Sequence, residues 1–270
     1  MSGELAVELR RLEQQGSTGV LRTGDGAFHL TDGAITRADC RRTTGLDRLV
    51  IEAGVATAED WRAAEGGNGG SLLRTPQLET LAVLSVFDAA YFLLANASAP
   101  EFKPAPAHWL APVCHLTPRA IVDECARRGD PEAGLWPATM VDRVPVVPVR
   151  RVRTQRVVLT GGQAEVLAAA DSRRSITGIA HELGRTTFGC LQAVRDLTAV
   201  GLIVEPARAG STPAPLVMTD SVVVTPAAAA PAGLPRRRAR QSAAVTAAER
   251  WQPVDRDVLV RVRAALEELA

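Results

Sequence analysis

The run Ser175-Ile176-Thr177-Gly178-Ile179-Ala180-His181-Glu182-Leu183-Gly184-Arg185-Thr186 restricts the fold more than any other part of this sequence. Ser175 is placed to cap one helix, Gly184 to allow a tight turn, and Thr186 or Thr187 to start the next helix. That is helix-turn-helix grammar. Helices are expected over Gln163–Ala170, Ile176–Leu183 and Thr186–Val200, with a strand at Leu202-Ile203-Val204. Together they predict a winged-helix domain over residues 159–205. On its last helix the spacing turns Phe188, Leu191, Val194 and Leu197 inward and leaves Thr187, Gln192, Arg195 and Asp196 outward.

A helix that reads DNA needs donors for base edges and cations for phosphates. The candidates here are Gln192, Thr187 and Arg195 on the helix, flanked by Arg173, Arg174 and Arg185. Glu182 and Asp196 offset them, and residues 161–205 carry four basic and five acidic groups. The net charge of that segment is therefore −1, which argues against unaided affinity for DNA and keeps a protein-contacting use of the fold open. Basic charge lies beside the unit instead. Arg150, Arg151, Arg153 and Arg156 fall in an extended Pro/Val/Arg connector over 141–158, and Arg236, Arg237, Arg238 and Arg240 fall further on. Either patch suits a phosphate backbone, an acidic protein or plain solvent.

Before the connector, residues 1–140 read as an α+β domain. Leu5, Leu9 and Leu12 recur at helical spacing, and three short strands follow at Val20-Leu21-Arg22, Ala27–Leu30 and Ala34–Ala38. Gly24-Asp25-Gly26 and Asp32-Gly33 mark the turns of an antiparallel meander. Further helices are expected from Thr44, over Ala58–Glu65 with Thr57 and Asp60 as a capping box, over Gln77–Ala95, and over Arg119–Arg128 behind Thr117-Pro118. The glycines at 66, 67, 69 and 70 predict a flexible loop. Beyond the winged helix, the Ala/Pro/Ser/Thr-rich stretch 206–250 predicts a disordered linker. Residues 251–270 regain helical periodicity through Leu259, Val262, Leu266 and Leu269, an amphipathic helix.

For chemistry the inventory is thin. Four cysteines, Cys40, Cys114, Cys125 and Cys190, stand apart with no paired spacing, so neither a zinc site nor a disulfide framework is signalled. Cys114-His115 with Cys125 matches no standard ligand or nucleophile set, and the glycines near the amino end lack a phosphate-loop context. No catalytic, cofactor or metal residues are assigned. The most apolar stretch, Leu81–Ala97, holds Asp88 at its middle, which favours a buried helix over a membrane span. No secretory signal is read at the amino end, and the expected setting is a reducing cytoplasm.

Residues 5–102 resemble the PATAN-like adaptor domains of bacterial signalling proteins. The resemblance is carried by Ser17-Thr18-Gly19-Val20-Leu21, Asp32-Gly33-Ala34-Ile35, Gly45-Leu46-Asp47-Arg48-Leu49 and Phe87-Asp88-Ala89. Residues 159–205 look like the winged-helix subunits of bacterial conservon operons, through Ser175–Ala180, Gln192-Ala193-Val194-Arg195-Asp196-Leu197 and Gly201-Leu202-Ile203-Val204. The pairing implies a non-enzymatic adaptor or transcription-linked regulator whose partners are signalling proteins of a Roadblock or small-GTPase system. Double-stranded DNA is the alternative partner, and a homodimer is compatible with either.

Overall fold

Alternation of apolar and polar residues builds the first layer. In the computed structural model, which describes residues 3–95, 99–149 and 157–206, β1 (Gly19–Thr23), β2 (Gly26–Thr31) and β3 (Ala34–Cys40) form the expected antiparallel meander. Leu21, Phe28, Leu30, Ile35 and Ala38 bury one face of it. A fourth strand, β4 (Glu101–Pro104), pairs antiparallel with β1 to give the order β3-β2-β1-β4. Sequence reading missed β4, because its Glu101 and Lys103 are the exposed charges typical of an edge strand and carry no apolar alternation. Gly19 explains why β1 can accept it: a Cβ at that position would overlap the Lys103 carbonyl.

Helix α1 (Gly3–Gln14) buries Leu5, Leu9 and Leu12 and runs against α5 (Pro118–Arg128). Helices α2 (Leu46–Glu52) and α3 (Ala58–Ala63) follow β3, with the Thr57–Asp60 capping box formed at the start of α3. The glycine run after α3 is wound rather than loose. Ala64–Asn68 makes one wide turn in which Gly67 takes a positive φ of 95°, and Leu72–Arg74 adds a 3₁₀ turn. Buried Ala64 and the Trp61 indole, which donates to Glu65 Oε1 at 2.9 Å, hold that turn in place, so the expected free loop is corrected.

Helix α4 (Pro76–Leu93) is the central element. It packs on β3, α2 and α5, and from Ala89 to Leu94 every residue is buried. Its low sidedness follows from this position, since a helix covered on several sides needs apolar residues all round.

Residues 157–206 contribute α6 (Gly161–Ala169), α7 (Ile176–Leu183) and α8 (Thr187–Ala199), which pack on one another around Val166, Ile176, Ile179, Cys190, Leu191, Val194 and Leu197. Side-chain caps start all three: Thr160 accepts from Gln163, Ser175 from Gly178 and Thr186 from Gly189. Gly184 turns α7 into α8 at φ 58°. The expected strand at 202–204 is a short bridged segment. Ile203 bridges Pro148, Val149 donates to the Leu202 carbonyl and Val204 to the Val147 carbonyl, while Pro145 bridges Ser175. The first part of the connector is thus held to the three-helix segment by isolated bridges.

All the described residues lie in one compact unit, with a single buried cluster running from Leu5 to Ile203. The α+β composition and the antiparallel sheet are as the sequence indicated. The linker beyond 206 and the carboxy-terminal amphipathic helix lie outside the described residues. Because β4 depends on the missing side chain of Gly19, Gly19→Val is expected to expel it. Amide exchange at Phe102 and Lys103 should then rise at least about tenfold while α4 stays protected, corresponding to the loss of a few ladder hydrogen bonds.

Candidate functional site

A carboxylate in the middle of an apolar helix must find donors or neutralise. Asp88 of α4 is fully buried, and its carboxylate oxygens accept from the backbone amides of Thr187, at 2.8 Å, and Phe188, at 2.7 Å. These are the first two amides of α8, which have no partner inside the helix. The third, Gly189, donates to the Thr186 hydroxyl at 3.3 Å. Two elements that are about one hundred residues apart in the chain therefore complete each other's hydrogen bonding, and the negative charge sits at the positive end of the α8 dipole. Dehydration outweighs the pull of the Phe188 and Thr187 amides and of the nearby Arg128, and pushes the Asp88 carboxyl up to about 6.

Around this centre polar contacts accompany the apolar packing. The Arg128 guanidinium lies 4.4 Å from the Phe188 ring centroid, donates to the Phe87 carbonyl at 3.1 Å and pairs with Glu124 at 2.9 Å. Tyr91 meets Phe188 edge to face with centroids 4.8 Å apart. At the far end of α8, Arg195 donates to the carbonyls of Pro131, Ala133 and Trp136, the last at 2.8 Å, and the buried Trp136 indole donates to Thr198 at 2.9 Å. On the α7 side, Arg48 donates to the His181 carbonyl at 3.2 Å, and the Thr177 hydroxyl donates to the Arg42 carbonyl at 3.0 Å. Gly184 lies against Glu52 so closely that a Cβ would overlap the glutamate's own. A groove of about 450 Å³ opens between α4 and the α6–α8 pair, lined by Leu49, Leu81, Leu84 and Val166 and by Gln192 and Asp196.

The residues proposed to read DNA fare unequally. Thr187 is fully buried rather than outward, because its amide must reach Asp88. Arg195 points outward from the three-helix core but into a cage of carbonyls, which corrects its placement as a free cation. Phe188, expected to be interior, is only partly buried, and its ring lies against Tyr91 of α4 and Arg128 of α5. Gln192 is exposed, and so is Arg173. Arg174 is paired with Glu182 at 2.8 Å, and Arg185 with Glu165 at 2.6 Å. The basic patches at Arg150, Arg151, Arg153 and Arg156 and at Arg236, Arg237, Arg238 and Arg240 lie outside the described residues.

The thiols are packing groups. Burial pushes Cys40 and Cys114 up to about 11 and Cys125 and Cys190 up to about 12, away from the thiolate that nucleophilic chemistry requires. Cys114 is buried while the adjacent His115 is exposed, so the two do not form one site. A second titratable cluster lies on the sheet, where His29 meets Asp39 at 3.2 Å and stacks edgewise on His108 at 4.9 Å. Burial holds His108 down to about 4, and Asp39 is drawn down to about 2 against its own burial by His29 and Arg37. No helix among the described residues is long and apolar enough to cross a membrane. Compared with family models, curated proteins and solved structures, the chain matches none of them.

Asp88, Arg128, Trp136 and Thr177 were not picked out as junction residues by sequence. The one available signal was Asp88 itself, a carboxylate in the apolar middle of a helix.

Two outcomes test this geometry. Since Asp88 has a folded pKa of about 6 against 3.8 unfolded, the native chain takes up its proton first as pH falls. The stability that wild type owes to Asp88, relative to Asp88→Ala, should therefore grow by about 2–3 kcal/mol between pH 7 and pH 4. Paired urea melts read that difference. A difference that shrinks toward acid contradicts it. Gly184→Ala combines a left-handed φ with overlap on Glu52, and should cost more than about 2 kcal/mol in the same assay.

Proposed function

We propose that this chain is a non-enzymatic bacterial signalling adaptor or regulator, in which a PATAN-like α+β domain receives a protein signal and a winged helix at residues 159–205 passes it on. The observation that carries the reading is the Asp88–α8 contact. It ties the central helix of the first domain to the start of the helix that a winged-helix protein uses for recognition, so a partner that shifts α4 displaces α8. The supporting pattern is three capped helices with a left-handed glycine turn, flanked by segments at 145–149 and 202–204 that meet through an isolated bridge and two backbone hydrogen bonds. Resemblance of both segments to bacterial signalling modules points to a Roadblock or small-GTPase system as the partner class.

A direct DNA-binding regulator is the second reading, favoured by the turn of α7 through Gly184 into α8. The two readings separate in solution. Purified Roadblock-type and small-GTPase proteins from the same genome are expected to bind the full chain saturably by calorimetry, and failure of both removes the adaptor reading. If α8 reads DNA unaided, Arg185→Ala together with Arg195→Ala should weaken a mobility shift by at least about tenfold. Under the adaptor reading, wild type at physiological salt gives no shift for the double variant to lose.

A further inference from the structure

The first turn of a recognition helix has two possible uses, and in this chain they compete for the same atoms. Docked on DNA, that turn faces the groove, and its free amides and nearby cations meet base edges and phosphate oxygens. Here the amides of Thr187 and Phe188 meet the Asp88 carboxylate, and Arg195, the cation on α8, is spent on three backbone carbonyls. We propose that the α4–α8 contact is an autoinhibitory latch in which Asp88 occupies the place of a DNA phosphate, and that the first turn of α8 with Arg195 binds double-stranded DNA when the contact opens. The inference rests on the winged-helix reading of residues 159–205.

Three features make this junction one that can open. First, beside its apolar packing it carries several individual polar contacts that water or a phosphate can replace: Asp88 to α8, Arg48 to His181, Thr177 to Arg42 and Arg195 to the 131–136 turn. Second, it is imperfectly satisfied when closed. Among the described residues, the Thr187 hydroxyl, at the start of α8, is buried without a hydrogen-bond partner. Native interiors hold few such atoms, and each is a penalty on the closed form that hydration on opening relieves. Third, the groove between α4 and α8 already separates part of the two surfaces. Dehydration of the Asp88 carboxylate works in the same direction, since exposure to water favours its charged form.

In the closed form Phe188 is seated between Tyr91 and Arg128 and Thr187 is inaccessible, so DNA cannot approach the α8 first turn without parting it from α4. Closure and DNA binding are then mutually exclusive, and the apparent affinity for DNA is the intrinsic affinity scaled by the open fraction.

The experiment uses the full chain, a fluorescent mixed-sequence DNA duplex read by anisotropy, and amide exchange read across α8. Asp88→Ala is expected to accelerate exchange at Thr187, Phe188 and Gly189 and to tighten DNA binding by about tenfold or more. Adding Arg195→Ala should abolish the gain. Because Asp88→Ala removes a buried group, the pair Arg48→Ala with Thr177→Val provides a second opening from the α7 side with Asp88 intact, and should act in the same direction. Faster α8 exchange with unchanged DNA affinity overturns the proposal, as does a gain that survives Arg195→Ala, or an α8 that neither set of changes loosens. The winged-helix reading fails on a different observation, loss of amide protection across α7 and α8 in the unaltered chain.

Discussion

A buried carboxylate is among the costliest groups a small protein can keep, and Asp88 is kept because α8 has two amides that nothing inside the helix can satisfy. Each half of this arrangement is unstable without the other. An apolar α4 carrying a lone charge would not bury, and an α8 start with uncovered amides would seek water. Their mutual satisfaction fixes where the three-helix segment sits on the sheet-bearing segment, and the remaining junction contacts follow from that placement. Arg195 finds the carbonyls of the 131–136 turn, Trp136 finds Thr198, and Gly184 is pressed against Glu52.

This arrangement changes what the charged residues of α8 are available for. On an isolated three-helix segment, Arg195 and Thr187 would both face solvent and offer donors. In the assembled unit one is caged and the other buried, and the exposed arginines nearby are mostly paired with carboxylates of the same segment. The net −1 of residues 161–205 is thus matched by a geometry that leaves little free positive charge on α8.

Sequence reading succeeded where the signal is local. Thr57, Thr117 and Ser175 cap the helices they were expected to cap, and of the two candidates Thr186 rather than Thr187 caps α8, because a side-chain oxygen reaches an amide only three residues away. The meander was legible because alternation has a period of two and its turns carry Asp-Gly or Gly-Asp-Gly. It failed at β4, whose place is decided by the absence of a side chain on Gly19 across the sheet, and at the Gly66–Gly70 region, which Trp61 and Ala64 wind into a turn that no glycine-rich string advertises.

The amino-acid sequence by itself determined the main helices, most of their caps, the three strands of the meander and the burial of the thiols, since each depends on neighbours a few residues away or on simple apolarity. Only the tertiary structure decided which way α8 faces and what Asp88 is for. Helical spacing defines a face but not its partner, and a carboxylate in an apolar helix announces that donors must exist without saying where. Those donors lie about one hundred residues further along the chain, a distance over which only folding brings them together.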